Sequence, residues 1–550
     1  MFDNYFIADQ FSLLSKLMDI HGENSFKSKS YSIAAFNIEK LPVQLSTLGA
    51  GEMFALKGIG ESTGKKVLEI INTGKLEVLE KMIASTPSGV IDMLSIKGIG
   101  PKKINTIWKE MQLESLGELL YACDENRLLL YKGFGAKTQQ NVKEAIEFYL
   151  SNRESFLYAE VEVFANQINE MILKTFPDSL TSFTGEFRKQ SEIINQIEWV
   201  TTIPETDLTT LLEANEISMQ DKQLPWVSFS GSQHVKLSFL LTEREDYHRQ
   251  LFETSCSPEF LIAWKNRYGI KTFSSENEYF SDARVAFIPS PRREDPEVIS
   301  RTDVTPIEQK DIRAIIHSHS NWSDGSNSLE EMARACIDQG FEYLVISDHS
   351  KSAFYANGLS EERIRAQHQH IEELNRKLAP FYIFKSIECD ILNDGNMDYS
   401  DDILASFDLV IASVHSNLKM TEEKAMSRLI RAIENPYTTI LGHMTGRLLL
   451  SRKGYPVDHS KIIDACRANN VVIELNAHPR RLDMDWRYIQ KALDRDVMIS
   501  IDPDAHSIEG LHDIKYGVLA AQKGGLTADM NLSSMSLPEF SDFLMHRASH

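Results

Sequence analysis

Cysteine is scarce in this chain and never paired in sequence: Cys123, Cys256, Cys336, Cys389 and Cys466 stand singly, with no CxxC. That excludes a disulfide-built scaffold and implies free thiols in a reducing cytoplasm. The chain has no apolar run approaching the roughly 18 residues that a membrane-spanning helix requires. Its first residues carry acids rather than a basic segment ahead of an apolar stretch, so neither a membrane span nor a signal peptide is expected. Positive charge is also short. The formal charge is −21, from 58 basic and 79 acidic side chains. That is unusual for a DNA-binding protein, but its distribution matters more than its sum. Residues 1–150 hold 17 basic and 18 acidic side chains, a balance of −1, which leaves −20 for the remainder. Net acidity predicts weak, salt-sensitive DNA binding focused on a few sites. With 550 residues and 42% hydrophobic content, the chain is too long for one core, and three or four domains are expected.

Histidine is present and clustered. Of 16 histidines, 11 fall between His317 and His512, most at the ends of apolar runs. Ile315-Ile316-His317-Ser318-His319-Ser320, followed by Ser323-Asp324-Gly325, opens the series. Val345-Ile346-Ser347-Asp348-His349, Ile387-Glu388-Cys389-Asp390, Leu409 to His415, Thr439 to His443 and Met498 to His506, the last containing Asp504, continue it. Helix-like segments separate most neighbours, the alternation expected of a β/α barrel. Imidazole and carboxylate suit zinc, manganese and iron, and a carboxylate such as Glu388 can bridge two ions. Close-set cations activate water and neutralise the oxygens of an in-line displacement at phosphorus. Any one histidine read alone is as well explained as a core residue; the series is not. His368, His370 and His459 stand in charged, helix-like surroundings and are expected to face solvent.

The N-terminal part carries a repeat. Leu56-Lys57-Gly58-Ile59-Gly60, running on to Lys65, and Ile96-Lys97-Gly98-Ile99-Gly100-Pro101-Lys102-Lys103 are each an apolar-Lys-Gly-Ile-Gly hairpin leading into a lysine-bearing helix. Tyr131-Lys132-Gly133-Phe134-Gly135-Ala136-Lys137 is a fainter third copy. Glycine lets the backbone approach a phosphate, and the helix N-terminus offers unpaired N–H groups. Such helix-hairpin-helix contacts position DNA without reading its sequence. The DNA-binding candidates are Lys57, Gly58, Gly60, Lys65, Lys97, Gly98, Gly100, Lys102 and Lys103. The alternative is an ordinary helical hairpin with glycine at the turn.

These motifs, taken in order and spacing with Gly442-His443, Gly446-Arg447 and Asp504-Ala505-His506-Ser507, resemble the PHP domain (polymerase and histidinol phosphatase) at the C-terminus of bacterial family X DNA polymerases. The resemblance implies a distorted β/α barrel holding three divalent metal ions, manganese or zinc or iron. One ion would lie near His317, His319, Glu388 and Asp504, a second near Glu388, His415 and His443, and a third near Asp324, His349 and His506. His317, His319, Glu388 and Asp504 are the catalytic metal ligands it implies. Arg447 follows the His443 loop, and Arg481 sits in Glu474-Leu475-Asn476 to Arg480-Arg481-Leu482-Asp483, similar to a family segment; both are candidates to hold substrate phosphate. For each, the alternative is a salt bridge that locks a barrel loop. Lys351 is a lesser candidate. Glu23-Asn24-Ser25-Phe26-Lys27-Ser28-Lys29-Ser30-Tyr31 and the hairpins resemble the N-terminal domain of the same polymerases.

The middle of the chain departs from that family. A palm of this kind binds two magnesium ions on three aspartates, yet no Asp-x-Asp occurs between Ser151 and Val285. The family's Gly-Ser-x-Arg-Arg segment stands here as Gly185-Glu186-Phe187-Arg188-Lys189. The Asp-x-Asp pair is replaced by Gln196-Ile197-Glu198, and the third aspartate by Lys236. An amide, a longer carboxylate and an ammonium do not form the acidic pocket that paired magnesium needs, so no magnesium-dependent polymerase site is expected.

The expected architecture is multidomain α and α/β. It comprises a helical domain over 1–95 with the first hairpin, a fingers-like region over 96–150 with the second, a degenerate α+β palm and thumb over 151–290, a proline-bearing linker over 291–310, and the PHP barrel over 311–550. The resemblance implies a 3′-to-5′ exonuclease, or 3′-phosphatase, serving DNA repair and acting on DNA ends, single strands or gaps; the unpaired cysteines and the lack of long apolar runs lead to the expectation of a cytoplasmic protein with no membrane partner. The alternatives are a small-molecule phosphatase of the histidinol-phosphate kind and a noncatalytic DNA-binding scaffold.

Overall fold

Apolar residues at three- and four-residue spacing build the first 150 residues as helices: α1 (Asn4–His21), α2 (Ser25–Glu39), α3 (Glu61–Thr73), α4 (Pro101–Asn105), α5 (Leu116–Asp124) and α6 (Ala136–Leu150). In α3 the buried face is Gly64, Val67 and Ile70, and Gly74 at φ +74° ends the helix by donating its N–H to Ile70 O at 2.8 Å. The computed structural model describes residues 4–39, 41, 43–56, 59–150, 155–231, 235–301 and 304–548. Its chain divides into two units, residues 1–124 with 128–150, and residues 125–127 with 151–550.

The second unit begins with α7 (Tyr158–Thr175) and a five-stranded sheet. Its strands are β1 (Thr181–Thr184), β2 (Gln196–Thr201), β3 (Ser218–Gln223), β4 (Trp226–Ser230) and β5 (Lys236–Leu241), in the order β1-β2-β5-β4-β3. Only β2 and β5 run parallel. A core of Val161, Ile168, Trp199, Leu208, Phe229 and Phe239 lies between sheet and helices. Helices α8 (Tyr247–Thr254), α9 (Pro258–Tyr268) and α10 (Glu276–Ala283) follow around Phe252, Phe260, Trp264 and Phe280. The segment read from its prolines as a linker is packed rather than extended. It forms short 3₁₀ turns and buries Val298 and Ile299 in the Phe252 core. Arg293 is enclosed there too, its guanidinium 5.0–5.6 Å from the rings of Phe252, Phe280 and Phe287 and paired with Glu276 at 2.6 Å. Proline sets the turns here, while the aromatic cage and the ion pair fix the segment in place.

The rest is the expected alternation. It comprises β6 (Ala314–Ser318), α11 (Leu329–Asp338), β7 (Tyr343–Ile346), α12 (Glu361–Leu378), β8 (Tyr382–Asp390), β9 (Leu409–Ser413), α13 (Glu422–Ile433), β10 (Thr438–Leu441), α14 (His459–Ala468), β11 (Val472–Asn476), β12 (Ile499–Asp502), α15 (Ile514–Gly524) and α16 (Leu537–Ala548). Ser328, Ser360, Thr421 and Asp458 cap α11 to α14, each side chain accepting a backbone N–H of the first turn. The seven strands pair in parallel in chain order from β6 to β12. One bridge between Ser318 and Ala505 brings the ends together, with His319 N donating to Ala505 O at 2.8 Å, so the barrel is nearly closed. Ala314, Ile316, Tyr343, Val345, Phe384, Leu409, Ile411, Ile440 and Val472 form its inner core. Phe540 of α16 seals the N-terminal mouth, stacked 4.8 Å from Tyr343 and edge-on 4.9 Å from Phe384.

Candidate metal centre

Strand parity carries the donors inward. In β7 the inner residues Tyr343 and Val345 continue to Ser347 and His349, and in β8 Phe384 continues through Ser386 to Glu388 and Asp390. In β11 Val472 continues to Glu474 and Asn476, and the same period in β12 runs through Asp502 to Asp504. Strand β6 breaks the rule. Ala314 and Ile316 face in, which would turn His317 outward. A register shift between Ile315 and Ser318 and a φ of +58° at His317 rotate the pair His317 and His319 into the cavity. Asp504, across the barrel seam, also has a positive φ, +53°. Non-glycine residues held in this region are strained and cluster at functional sites.

Glu388 is the hub. One of its oxygens lies 3.3, 3.0 and 2.9 Å from Nε2 of His317, His415 and His443; the other lies 2.9 Å from His349 Nδ1 and 3.6 Å from His319 Nε2. Asp504 reaches His319 Nε2 at 3.0 Å and His317 Nε2 at 3.4 Å. Asp324 lies 3.5 Å from His349 and 3.6 Å from His506. Donor atoms within 4.8 Å of one another fall into three groups: His317, His319, Glu388 and Asp504; His319, Asp324, His349 and His506; and His349, Glu388 and His415. His443 stands beside the third group through Glu388, and His349 stands in two groups.

Charge and satisfaction both fit a cation site. Burial pushes the His317 imidazole down in pKa, but Glu474, Asp504 and Glu388 outweigh it and hold it well above the usual 6.5; His415 is raised to about 9 by Glu388 and Asp390 against the same burial. His319, beside His506 and His349, is lowered, chiefly by burial. Burial also opposes ionisation of Glu388, yet the histidines around it hold it well below the carboxylate range. Buried atoms with no hydrogen bond include His319 Nδ1, Asp324 Oδ2, His443 Nδ1 and His506 Nε2. Such atoms cost about 1–3 kcal/mol each when left unpaired, and imidazole plus carboxylate is a donor set that divalent cations satisfy. The residues present are compatible with bound metal.

Supporting side chains that the sequence reading did not single out orient these donors. Glu474 pairs with His317 Nδ1 at 2.5 Å and accepts His443 N at 3.0 Å; Asn476 donates to Glu474 and to Asp504, both at 3.0 Å. Asp390 holds His415 Nδ1 at 2.9 Å. Asp348 accepts Ser320 N, Ser323 Oγ and Gln367 Nε2 at 2.8, 2.5 and 2.6 Å, pinning the loop that carries Asp324. The available signal was a second polar residue two places along from an inward one at the end of an apolar strand, or an acid directly before a ligand.

The arginines separate. Arg481 is buried, its Nε 3.9 Å from Asp504 Oδ2. Arg447 corrects the expectation of a phosphate contact. Its guanidinium donates to Arg481 O at 3.0 Å, to Asp485 at 2.9 Å, and to Leu482 O and Glu192, so it is the loop-locking ion pair. Lys351 lies 3.4 Å from Glu361 and over the Tyr399 ring. His368, His370 and His459 are partly buried rather than solvent-facing, because aromatic rings flank them: Phe407, Trp322 and Tyr488 at 5.0, 6.2 and 3.6 Å.

In the helical unit the hairpins share one turn. Ile59 N donates to Leu56 O, Ile99 N to Ile96 O and Phe134 N to Tyr131 O, at 3.0, 3.5 and 3.1 Å. Gly98 and Gly133 have φ of +99° and +95°, which favours glycine. Gly60 and Gly100 stand at the N-caps of α3 and α4, with open space where a side chain would be. Lys65, Lys97 and Lys102 are exposed, Lys65 pairing with Glu61 at 2.7 Å; Lys103 is half-buried and donates to Gly98 O at 3.1 Å. Lys57 and Gly58 lie outside the described residues.

In the middle sheet, parallel pairing sets Gln196 opposite Lys236 and Glu198 opposite Ser238. Gln196 contacts Ser238 rather than Lys236. Ser238 Oγ donates to Gln196 Oε1 and Gln196 Nε2 to Glu198 Oε1, both at 3.0 Å. Glu186 is held by Asn195 N at 2.7 Å. Burial pushes the Glu198 carboxyl up.

Fold and site define a helix-hairpin-helix protein joined to a PHP-type barrel. Family models agree: a helix-hairpin-helix domain matches residues 2–76, a SAM-like helix-hairpin-helix tandem residues 90–147, and a PHP domain residues 316–478. The chain is 34% identical to the DNA polymerase/3′-5′ exonuclease PolX of Bacillus subtilis (strain 168), over 96% of each chain. The chain belongs to the PolX family. Part of it is also 26% identical to a probable phosphatase of Thermoanaerobacter sp. (strain X514), covering 40% of this chain and 89% of that protein, and 28% identical to a probable phosphatase of Acetivibrio thermocellus, covering 30% and 64%. Among the described residues no helix is long and apolar enough to cross a membrane.

Proposed function

We propose that this chain is a metal-dependent phosphoesterase that shortens DNA from its 3′ end in DNA repair, in the cytoplasm, and that it does not extend DNA. The convergence of nine histidine and acid side chains on one cavity, five of the histidines around Glu388, carries the reading, supported by the exonuclease named in the Bacillus relative. His317, His319, Asp324, His349, Glu388, His415, His443, Asp504 and His506 would hold three divalent ions, manganese or zinc or iron. Such ions, when bound, supply water activation and charge neutralisation at phosphorus. The chain's own part is to fix the donors through Glu474, Asp390, Asn476 and Asp348. It presents the Arg481 guanidinium to substrate phosphate beside Asp504 and holds the DNA backbone on the hairpin glycines and lysines. Loss of polymerase activity is supported by the hydrogen-bonded chain Ser238–Gln196–Glu198, in which an amide stands in one carboxylate position of the strand and burial works against ionisation of Glu198, where paired magnesium needs an acidic pocket.

The test is hydrolysis of 3′- and 5′-labelled oligonucleotides with manganese, beside primer extension with four nucleotides. Stepwise 3′ shortening without extension is expected, abolished by His317→Ala with His319→Ala. Extension that depends on Glu198 would overturn the polymerase reading. The likeness of the barrel to probable phosphatases favours one second reading: phosphate release from small esters with no action on DNA would establish it.

A further inference from the structure

Two carboxylates of the middle sheet domain grip the loop that follows β11. Glu192 lies between the helical turn at Gly185–Arg188 and β2, with a side chain 9% exposed, and it pairs with Arg447 Nη2; its other oxygen is 3.7 Å from Arg487. Arg447 in turn donates to the carbonyls of Arg481 and Leu482 and to Asp485. One guanidinium thus ties the sheet domain to the backbone of the residue whose side chain stands 3.9 Å from Asp504. Leu482 has φ +43°, a left-handed conformation that a branched residue keeps only when its surroundings enforce it, and the donor on its carbonyl does so. A second grip lies alongside, where Glu160 of α7 is 3.4 Å from Arg480 Nη2.

We propose that Glu192 is a positioning residue for the barrel's phosphoesterase site, acting through Arg447 to set the place of Arg481. The inference rests on the phosphoesterase reading above and adds that the degenerate palm is a working part of that site. Arg447 is nearly enclosed, at 14% side-chain exposure. Removing Glu192 takes away the first of the three acids around the guanidinium, leaving Asp485 and Asp483, and loosens its hold on the 481–482 carbonyls. A misplacement of about 1 Å in a group that meets the transition state costs on the order of 10²-fold in rate. Because none of the metal donors touches Glu192, metal content should not change.

The experiment compares the full chain with Glu192→Ala, Glu192→Gln, Glu192→Asp and Arg447→Ala, measuring metal content, hydrogen exchange of the 477–485 peptide, and kcat and KM on a labelled oligonucleotide and on p-nitrophenyl phosphate. With Glu192→Ala or Glu192→Gln we expect faster exchange confined to 477–485, unchanged metal content and a fall in kcat of about tenfold or more. Glu192→Asp should recover part of it. Arg447→Ala should cost a similar factor, and the double variant no more than the larger single, since both act along one path. Unchanged exchange in Glu192→Gln, or effects that add in full, overturns the proposal. Exchange needs no turnover, so a wild-type chain that hydrolyses neither substrate would overturn the phosphoesterase reading while the 477–485 peptide still decides the clamp.

Discussion

His317 shows what one residue does in this barrel. Held at φ +58°, it turns a strand's parity and brings two imidazoles to face Glu388. At the opposite mouth Phe540, fully buried between Tyr343 and Phe384, fills the space that the inner layer leaves. Phe540→Ala should cost about 3–5 kcal/mol, read as a lower urea midpoint with the histidine and acid cluster intact. The clustered histidines and acids were legible as sequence because few residue types can serve as ligands to a cation, and they recur at the ends of apolar runs. Glu474, Asp348 and Asp390 were not, since an acid in that place looks the same whether it binds a cation or steadies a ligand. Arg447 was misjudged for a different reason: its partner Glu192 lies 255 residues away, and no local pattern announces a contact of that kind.

At the scale of elements, the hairpins and strands differ in how openly they declare themselves. The hairpins were plain, because glycine at φ near +100° and a lysine-bearing helix are local demands. Exposed Lys97 and Lys102 should each carry about one phosphate contact. Replacing both by alanine should weaken binding to all DNA sequences alike and flatten the slope of log affinity against log salt by about 2, measured by fluorescence anisotropy. The barrel strands were legible as apolar runs but not as faces. Helices cover one side and the inner core the other, so β7, β9 and β12 are buried along both and show no alternation from which to read the inward residues. The proline segment misled for the complementary reason: what fixes it is Arg293 among three distant rings.

For the molecule as a whole, acid should be destabilising in two stages. Burial pushes His368 down to about 4, so between pH 6.5 and 4 the unfolded chain takes the proton first and stability falls as pH drops. Glu276 is pushed up by burial, but Arg293 and Arg188 outweigh that and hold it below 4.5. Its contribution is present above that value and is lost as pH falls through the lowered one. The difference in urea midpoint between pH 7.5 and 5 should shrink in His368→Gln, and an equal difference would remove His368 from the account. Balanced charge over residues 1–150 and acidity elsewhere give the chain one end suited to polyanions and a remainder that repels them. The barrel, finally, is a hoop with a single clasp. Its first and last strands share one bridge, at Ser318 and Ala505, and the residues on either side of that bridge, His317 and His319 on one strand, Asp504 and His506 on the other, are those that would share cations. Were cations held there, they would fasten the hoop from within, and stripping them with a chelator should then lower the melting temperature of the barrel as well as any hydrolysis.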